Sequence, residues 1–196
     1  MNQDAKDWSQ VGAWAIASIG GVIAAGKAAW EIRRSRIDRE TEFRWKRAEL
    51  AKTVLDEIWN HPSARMALRM LDWTGLTYPR DNQQTGPIKH EMMWDSLRTS
   101  GNPFSPDEQF VRDCFDELFD GFERLEHFLR IHLILFEDIE SGLQYYVSLL
   151  SKKKQVYQRF LEKYEFRLAC ALLNRFKVWN AAPSRGSTGV AEDPAQ

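Results

Sequence analysis

One stretch limits what this chain can become more than any other: Val11 to Trp30, VGAWAIASIGGVIAAGKAAW, carries no charge before Lys27 and is followed at once by EIRRSRIDRE. As a helix rising about 1.5 Å per residue, Trp8 to Trp30 covers about 33 Å, close to the hydrocarbon thickness of a bilayer. The run therefore predicts a single transmembrane helix over 11–30, with Trp8 and Trp30 at the two interfaces, where indole rings are favoured. Lys27, about one turn inside Trp30, can extend its ammonium to the headgroups. The run contains no Leu or Phe and is rich in Ala and Gly, so its transfer into lipid is weakly favourable. Ala13, Ala17, Gly21 and Ala25 recur every four residues, with Gly20, Ala24 and Ala28 on an adjoining line. Small residues at that spacing let helix backbones approach closely in a membrane and point to contact between copies, that is, to a homo-oligomer. A lone weak anchor and a buried helix of a soluble protein remain the alternatives, and the abrupt basic flank argues against the second.

Charge sets the orientation. Asp4, Lys6 and Asp7 precede the run, whereas Arg33, Arg34, Arg36, Arg39, Arg44, Lys46 and Arg47 follow it, diluted by Glu31, Asp38, Glu40 and Glu42. By the positive-inside tendency, residues 1–10 are a short extracytoplasmic segment and the body is cytoplasmic, a single-pass arrangement in a bacterial inner membrane with Arg33, Arg34 and Arg36 at the headgroups. The N-terminus has no basic n-region and the run no small-residue cleavage site, so it does not read as a removable signal peptide. A net charge of −1 gives no global pull toward nucleic acid, and direct binding of one is not indicated. Cys114 and Cys170 lie in amphipathic helical contexts and read as core thiols.

Beyond the run the pattern is helical throughout, and the predicted class is all-α: a transmembrane helix continuing into a cytoplasmic antiparallel helical bundle. No Gly or Pro interrupts Ala28 to Asn60, so a basic juxtamembrane helix over 31–60 continues the span, with Phe43, Leu50, Val54, Leu55 and Ile58 at helical period. Pro62 ends it. The bundle occupies 61–180. Ser63–Trp73 forms a short helix, Thr74–His90 a long loop, and Glu91–Arg98 a helical turn. Ser105-Pro106-Asp107-Glu108 is a capping box with proline at the first helical position, starting a helix that runs to about Leu133 with Phe110, Val111, Cys114, Phe115, Leu118, Phe122, Leu125 and Leu129 as its apolar stripe. Further helices are expected over Glu137–Lys153 and Gln155–Trp179, and residues 181–196 are too polar to fold.

Phosphate-loop, CxxC and HExxH signatures are missing, and no cofactor or metal is implied. Asp113, Asp116, Glu117, Asp120 and Glu123 form an acidic line that reads as a solvated helix face. The one catalytic constellation is weak: Arg124, His127 and His132 in FERLEHFLRIH. Ribonucleases of the HEPN class place Arg and His four to six residues apart on a bundle helix, the imidazole acting as acid or base while the guanidinium holds phosphate. Here Arg124 to His127 is shorter than that and Arg124 to His132 longer. Ion pairs with Glu123 and Glu126, or an interface histidine, are the competing structural reading.

The weak N-terminal span, the helix FRWKRAELAKTVLDEIW and the block CFDELFDGFERLEHFLRIHLILFEDIESGLQYYV, with Phe122-Glu123 and Asp138-Ile139, together resemble a bacterial family of small single-span proteins. The wider group is similar to the membrane accessory protein of type VI-B CRISPR systems, a HEPN-like helical protein that assembles as a ring and opens a pore. The resemblance implies an oligomeric, pore-forming accessory or effector of antiviral defence, partnered by itself, by the bilayer and by a CRISPR or other defence effector. An anchored HEPN-like ribonuclease and a passive membrane tether for a cytosolic enzyme are the rival functions.

Overall fold

The computed structural model describes the backbone of residues 3–80 and 83–181, and the side chains at residue 27 and from residue 30 within those ranges. The chain divides into two compact units, Met1–Lys46 and Arg47–Gln196. Helix α1 runs Gln3–Asn60, the uninterrupted helix that the absence of Gly and Pro after Lys27 predicts. Every described side chain from Trp30 to Lys46 is exposed, whereas in the second unit Ala51, Val54, Leu55 and Ile58 are buried, at the i, i+3, i+4, i+7 spacing of one helix face.

The break between α1 and α2 (Pro62–Asp72) lies at His61. Its carbonyl accepts from Arg65 N at 2.9 Å and Pro62 takes the first helical position, where no amide is needed. The loop that follows carries a small two-stranded element, β1 Pro79–Arg80 antiparallel to β2 Gln83–Gln84, extended by a bridge between Leu76 and Ile88. Tyr78 and Ile88 anchor it in the core, and the buried Thr85 hydroxyl accepts from Tyr78 N at 3.0 Å. The polar composition that marks this stretch as a loop hides these anchors.

After the short α3 (His90–Ser96), α4 (Pro106–Arg130) forms the centre of the bundle. The predicted capping box is present: Ser105 Oγ accepts from Glu108 N at 3.3 Å and Glu108 Oε2 from Ser105 N at 2.7 Å. One face of α4 buries Val111, Cys114, Phe115, Leu118, Phe122, Leu125 and Leu129 as the stripe predicts, while Phe110 is only partly buried. Phe119, outside the predicted stripe, is the hub of the core, with the rings of Phe115, Phe122, Tyr157, Phe160 and Phe166 at 5.9 to 6.5 Å. Each such burial contributes about 1.5–3 kcal/mol, which makes α4 the main source of the second unit's stability.

α5 (Phe136–Ser151) follows a five-residue turn, and Asp138 fixes its start by accepting from Leu135 N at 2.9 Å and Arg47 Nε at 2.7 Å. The predicted single helix over 155–179 is three: α6 (Lys154–Lys163), α7 (Arg167–Leu173) and α8 (Lys177–Ala181). The first break is a Schellman turn at Glu165, whose φ of 61° lets Phe166 N reach Leu161 O at 2.9 Å, and the second is a tightening of the chain in which Arg175 N and Phe176 N donate three residues back, to Leu172 O and Leu173 O at 3.0 and 3.1 Å. No glycine marks the first, so helical periodicity runs straight through. Among the described residues the architecture is all-α apart from β1 and β2.

Candidate functional site

Arg124 and His127 stand one turn apart on the exposed side of α4. The guanidinium lies 3.6 Å from Glu57 Oε2 and 3.8 Å from Asp120 Oδ2. A phosphate at this place would meet two carboxylates before it met the arginine. His132 has a different task. It is the left-handed residue that closes α4, with φ 58°, His132 N donating to Leu129 O at 3.2 Å and Leu133 N to Phe128 O at 3.0 Å. Histidine is among the side chains that tolerate this conformation.

The acidic line on α4 is not uniformly solvated. Glu123 reaches across to α7, where Oε1 accepts from Leu168 N at 2.7 Å and Ala169 N at 3.0 Å. These are first-turn amides that would otherwise lack partners, and the negative charge suits the positive end of that helix. Asp116 is half-buried, and burial pushes its carboxyl above the ordinary range although Arg112 opposes the shift. Glu126 is 1% exposed and binds Arg175 with both oxygens, Nε to Oε2 at 2.7 Å and Nη2 to Oε1 at 2.9 Å, while Arg130 Nε reaches Oε1 at 3.1 Å. Burial alone would raise its carboxyl, but the bonds from Arg175 and Arg130 outweigh burial and hold it low. Arg112, 6% exposed, donates to the carbonyls of Ser96 and Arg98 at 2.9 and 3.1 Å and lies over the rings of Phe104, Phe160 and Tyr164 at 4.2 to 5.1 Å. Of the expected ion pairs with Glu123 and Glu126, the one between Arg130 and Glu126 forms at helical spacing, while Arg124 turns to Asp120 and Glu57, Glu123 to α7, and Glu126 also to Arg175.

The two thiols are structural. Burial pushes Cys114 up to about 12 and raises Cys170 as well, so neither is a ready nucleophile. Among the described residues no three His, Cys, Asp or Glu side chains converge as a metal site.

Of the residues that the sequence assigns to a membrane interface or to the span, Lys27, Trp30, Arg33, Arg34 and Arg36 are exposed; Lys27 Nζ lies 3.9 Å from Glu31 Oε1, and the Arg34 guanidinium sits 5.3 Å from the Trp30 ring centre. The side chains of Trp8, Ala13, Ala17, Gly20, Gly21, Ala24 and Ala25, and the tail beyond Ala181, lie outside the described residues. Among the described residues no helix is long and apolar enough to cross a membrane.

No family model, curated protein or solved structure shows a significant match to the chain.

Helical spacing alone did not expose one further feature, an open groove of about 850 Å³ between the end of α1, α2 and α5. Trp59 and Tyr146 form one aromatic wall, their ring centres 5.2 Å apart. Arg65 and Arg69 on α2 and Trp73, the extended residue that caps its end, line the other side, and the Arg69 guanidinium lies 5.7 Å from the Trp73 ring centre. Asp72 at the rim accepts from Tyr145 Oη at 2.6 Å. The i,i+4 spacing of Arg65, Arg69 and Trp73 was the available sequence signal; Trp59 of the opposite wall lies across the break at Pro62, and Tyr146 comes from α5.

Proposed function

We propose that this protein is a membrane-anchored, self-assembling accessory or effector of bacterial antiviral defence, in which α1 holds a HEPN-like helical bundle at the cytoplasmic face of the inner membrane. The observation that carries the reading is the exposure of α1 between residues 30 and 46, where Trp30, Ile32, Ile37, Phe43 and Trp45 are 54 to 73% accessible. A long helix in water owes most of its stability to an apolar face packed on something. Among the described residues these side chains stay exposed, so lipid headgroups and neighbouring copies are the natural cover. The small-residue line through Ala13, Ala17, Gly21 and Ala25 supports packing between spans, and the resemblance of residues 114–147 to the type VI-B accessory group supports a ring that opens a pore and depolarises the infected cell. Assembly, not bond chemistry, is the activity in this reading. The acidic setting of Arg124 and the capping role of His132 give the ribonuclease alternative no support.

The test is fractionation of cells expressing the full chain, followed by light scattering of the detergent-solubilised protein. Recovery in the membrane fraction as a large defined oligomer is expected. A monodisperse protein from the aqueous fraction without detergent would overturn the anchor, and a solubilised monomer would overturn the assembly.

A further inference from the structure

We infer that the groove between α1, α2 and α5 is a binding site for a nucleotide, with the phosphate on Arg65 and Arg69 and the base against the aromatic walls. The volume, about 850 Å³, falls in the range of small-molecule sites. The charge pattern points to an anion. Elsewhere in the bundle Arg47, Arg80, Arg98, Arg130 and Arg175 are each tied to a carboxylate. Arg65 and Arg69 are exposed, one turn apart on α2, and form no ion pair among the described residues, the Arg69 guanidinium lying over the Trp73 and Tyr78 rings instead. The one carboxylate in the lining, Asp72, is held by the Tyr145 hydroxyl. Two guanidinium forks side by side match the oxygens of a phosphate group.

The aromatic content selects among anions. Trp73 is 56% exposed and has the Arg69 guanidinium over its face, while Trp59 and Tyr146 face the groove from the other wall. Bare phosphate or a carboxylate has no use for three aromatic side chains, whereas a nucleobase stacks on such faces and gains about 1–3 kcal/mol per base. Asn60 and Asp72 stand at the rim as hydrogen-bonding groups for a base edge or a ribose hydroxyl. The absence of a glycine-rich phosphate loop is no obstacle, because here side chains and not backbone amides supply the anion contacts. The same chemistry is offered by a free nucleotide and by one residue of a single strand.

Solubilised full-length protein is titrated with AMP, with UMP, with a single-stranded RNA hexamer, with inorganic phosphate and with phosphotyrosine, following tryptophan fluorescence and the melting temperature. Saturable quenching by a mononucleotide is expected, weakened about tenfold or more in Arg65→Gln/Arg69→Gln and reduced in amplitude in Trp73→Phe. Both changes are at exposed positions, and an unchanged circular dichroism spectrum shows that the variants fold. A hexamer that binds far more tightly than the mononucleotide identifies a strand as the source, and equal affinities identify the free nucleotide; either supports the site. Absence of saturation, unchanged affinity in the double arginine variant, or competition by phosphate or phosphotyrosine equal to that of AMP overturns it. The site does not depend on the membrane reading, since loss of nucleotide binding would leave fractionation and oligomer mass unchanged.

Discussion

His132 separates a structural from a catalytic account of the late α4 residues, and replacing it with glycine tests the two against each other. A side chain with a Cβ costs about 1–2 kcal/mol in the left-handed region. Glycine escapes that cost but loses about 0.5–1 kcal/mol through the greater freedom of its unfolded chain. The difference favours His132→Gly by about 0.5–1 kcal/mol, provided that the imidazole makes no contact worth more, and the residue is exposed at φ 58°. Glu165 is the internal control: it has φ 61°, the same backbone closure, and an ion pair to Arg167 at 3.4 Å in which both side chains are at least 74% exposed. Such a pair contributes little. For a domain of this size 1 kcal/mol corresponds to about 2–4 °C, so His132→Gly and Glu165→Gly should each raise the melting temperature of the solubilised protein by about 1–4 °C, and together by about the sum. The variants should also leave a single-stranded RNA substrate as intact as the parent does. If Glu165→Gly stabilises while His132→Gly destabilises, the imidazole holds something the capping account omits. RNA cleavage by the parent that His132→Gly abolishes would return the residue to catalysis.

Other expectations follow from the buried contacts. An added Cβ at Gly121 would lie 2.8 Å from Ile58 Cγ1, so Gly121→Ala should lose about 1–3 kcal/mol to crowding against a gain near 1 from helix propensity; in an Ile58→Ala background the same change should become stabilising, as denaturant titration of both pairs would show. Glu126→Gln should cost about 1–3 kcal/mol at pH 7, because Arg175 and Arg130 lose a charged acceptor but remain partly hydrated. Because the folded carboxyl titrates below its unfolded value, its contribution is complete above that unfolded value and disappears as pH falls through the folded one; Glu108, held down to about 2 chiefly by Arg98, acts in the same direction. Melting curves from pH 7 to 2 should therefore converge for parent and Glu126→Gln at the acid end, and a constant gap would refute the assignment. Glu123→Ala removes the acceptor of two α7 amides and should cost about 1–2 kcal/mol, with faster hydrogen exchange at Leu168 and Ala169; unchanged protection there would show that the cap is idle.

What could be read in advance was whatever depends on neighbours in sequence. The α1 helix up to Asn60, the break at Pro62, the box at Ser105 and the stripe of α4 are each set by residues within a few positions of one another. The break between α6 and α7 was not legible, because a left-handed glutamate at 165 leaves the periodicity of Phe160, Leu161, Leu168 and Leu172 untouched. Nor could composition show that Tyr78, Thr85 and Ile88 anchor the long loop. Within the candidate site, Arg124, His127 and Glu123 were visible as a cluster, but their partners were not: Glu57 lies 67 positions before Arg124, and Leu168 lies 45 after Glu123. A glutamate on an exposed-looking line and one capping a distant helix have the same local pattern.

These long-range contacts also show where function has room to reside. Asp138 is committed to the α4–α5 turn and Arg47, Glu123 to α7, Glu126 to two arginines, Arg112 to carbonyls and rings, and His132 to the end of α4. Acid–base or phosphate chemistry at any of them would remove a contact the bundle uses to hold its shape, so catalysis there would conflict with folding. Two regions are free of that conflict: the exposed length of α1 with its apolar and basic side chains, and the groove with its unpaired arginines and aromatic walls. Each carries apolar side chains whose exposure to water is unfavourable, from Trp30 to Trp45 on α1 and Trp73 at the groove. The proposed assembly through one surface and nucleotide binding through the other would draw on none of these committed charges.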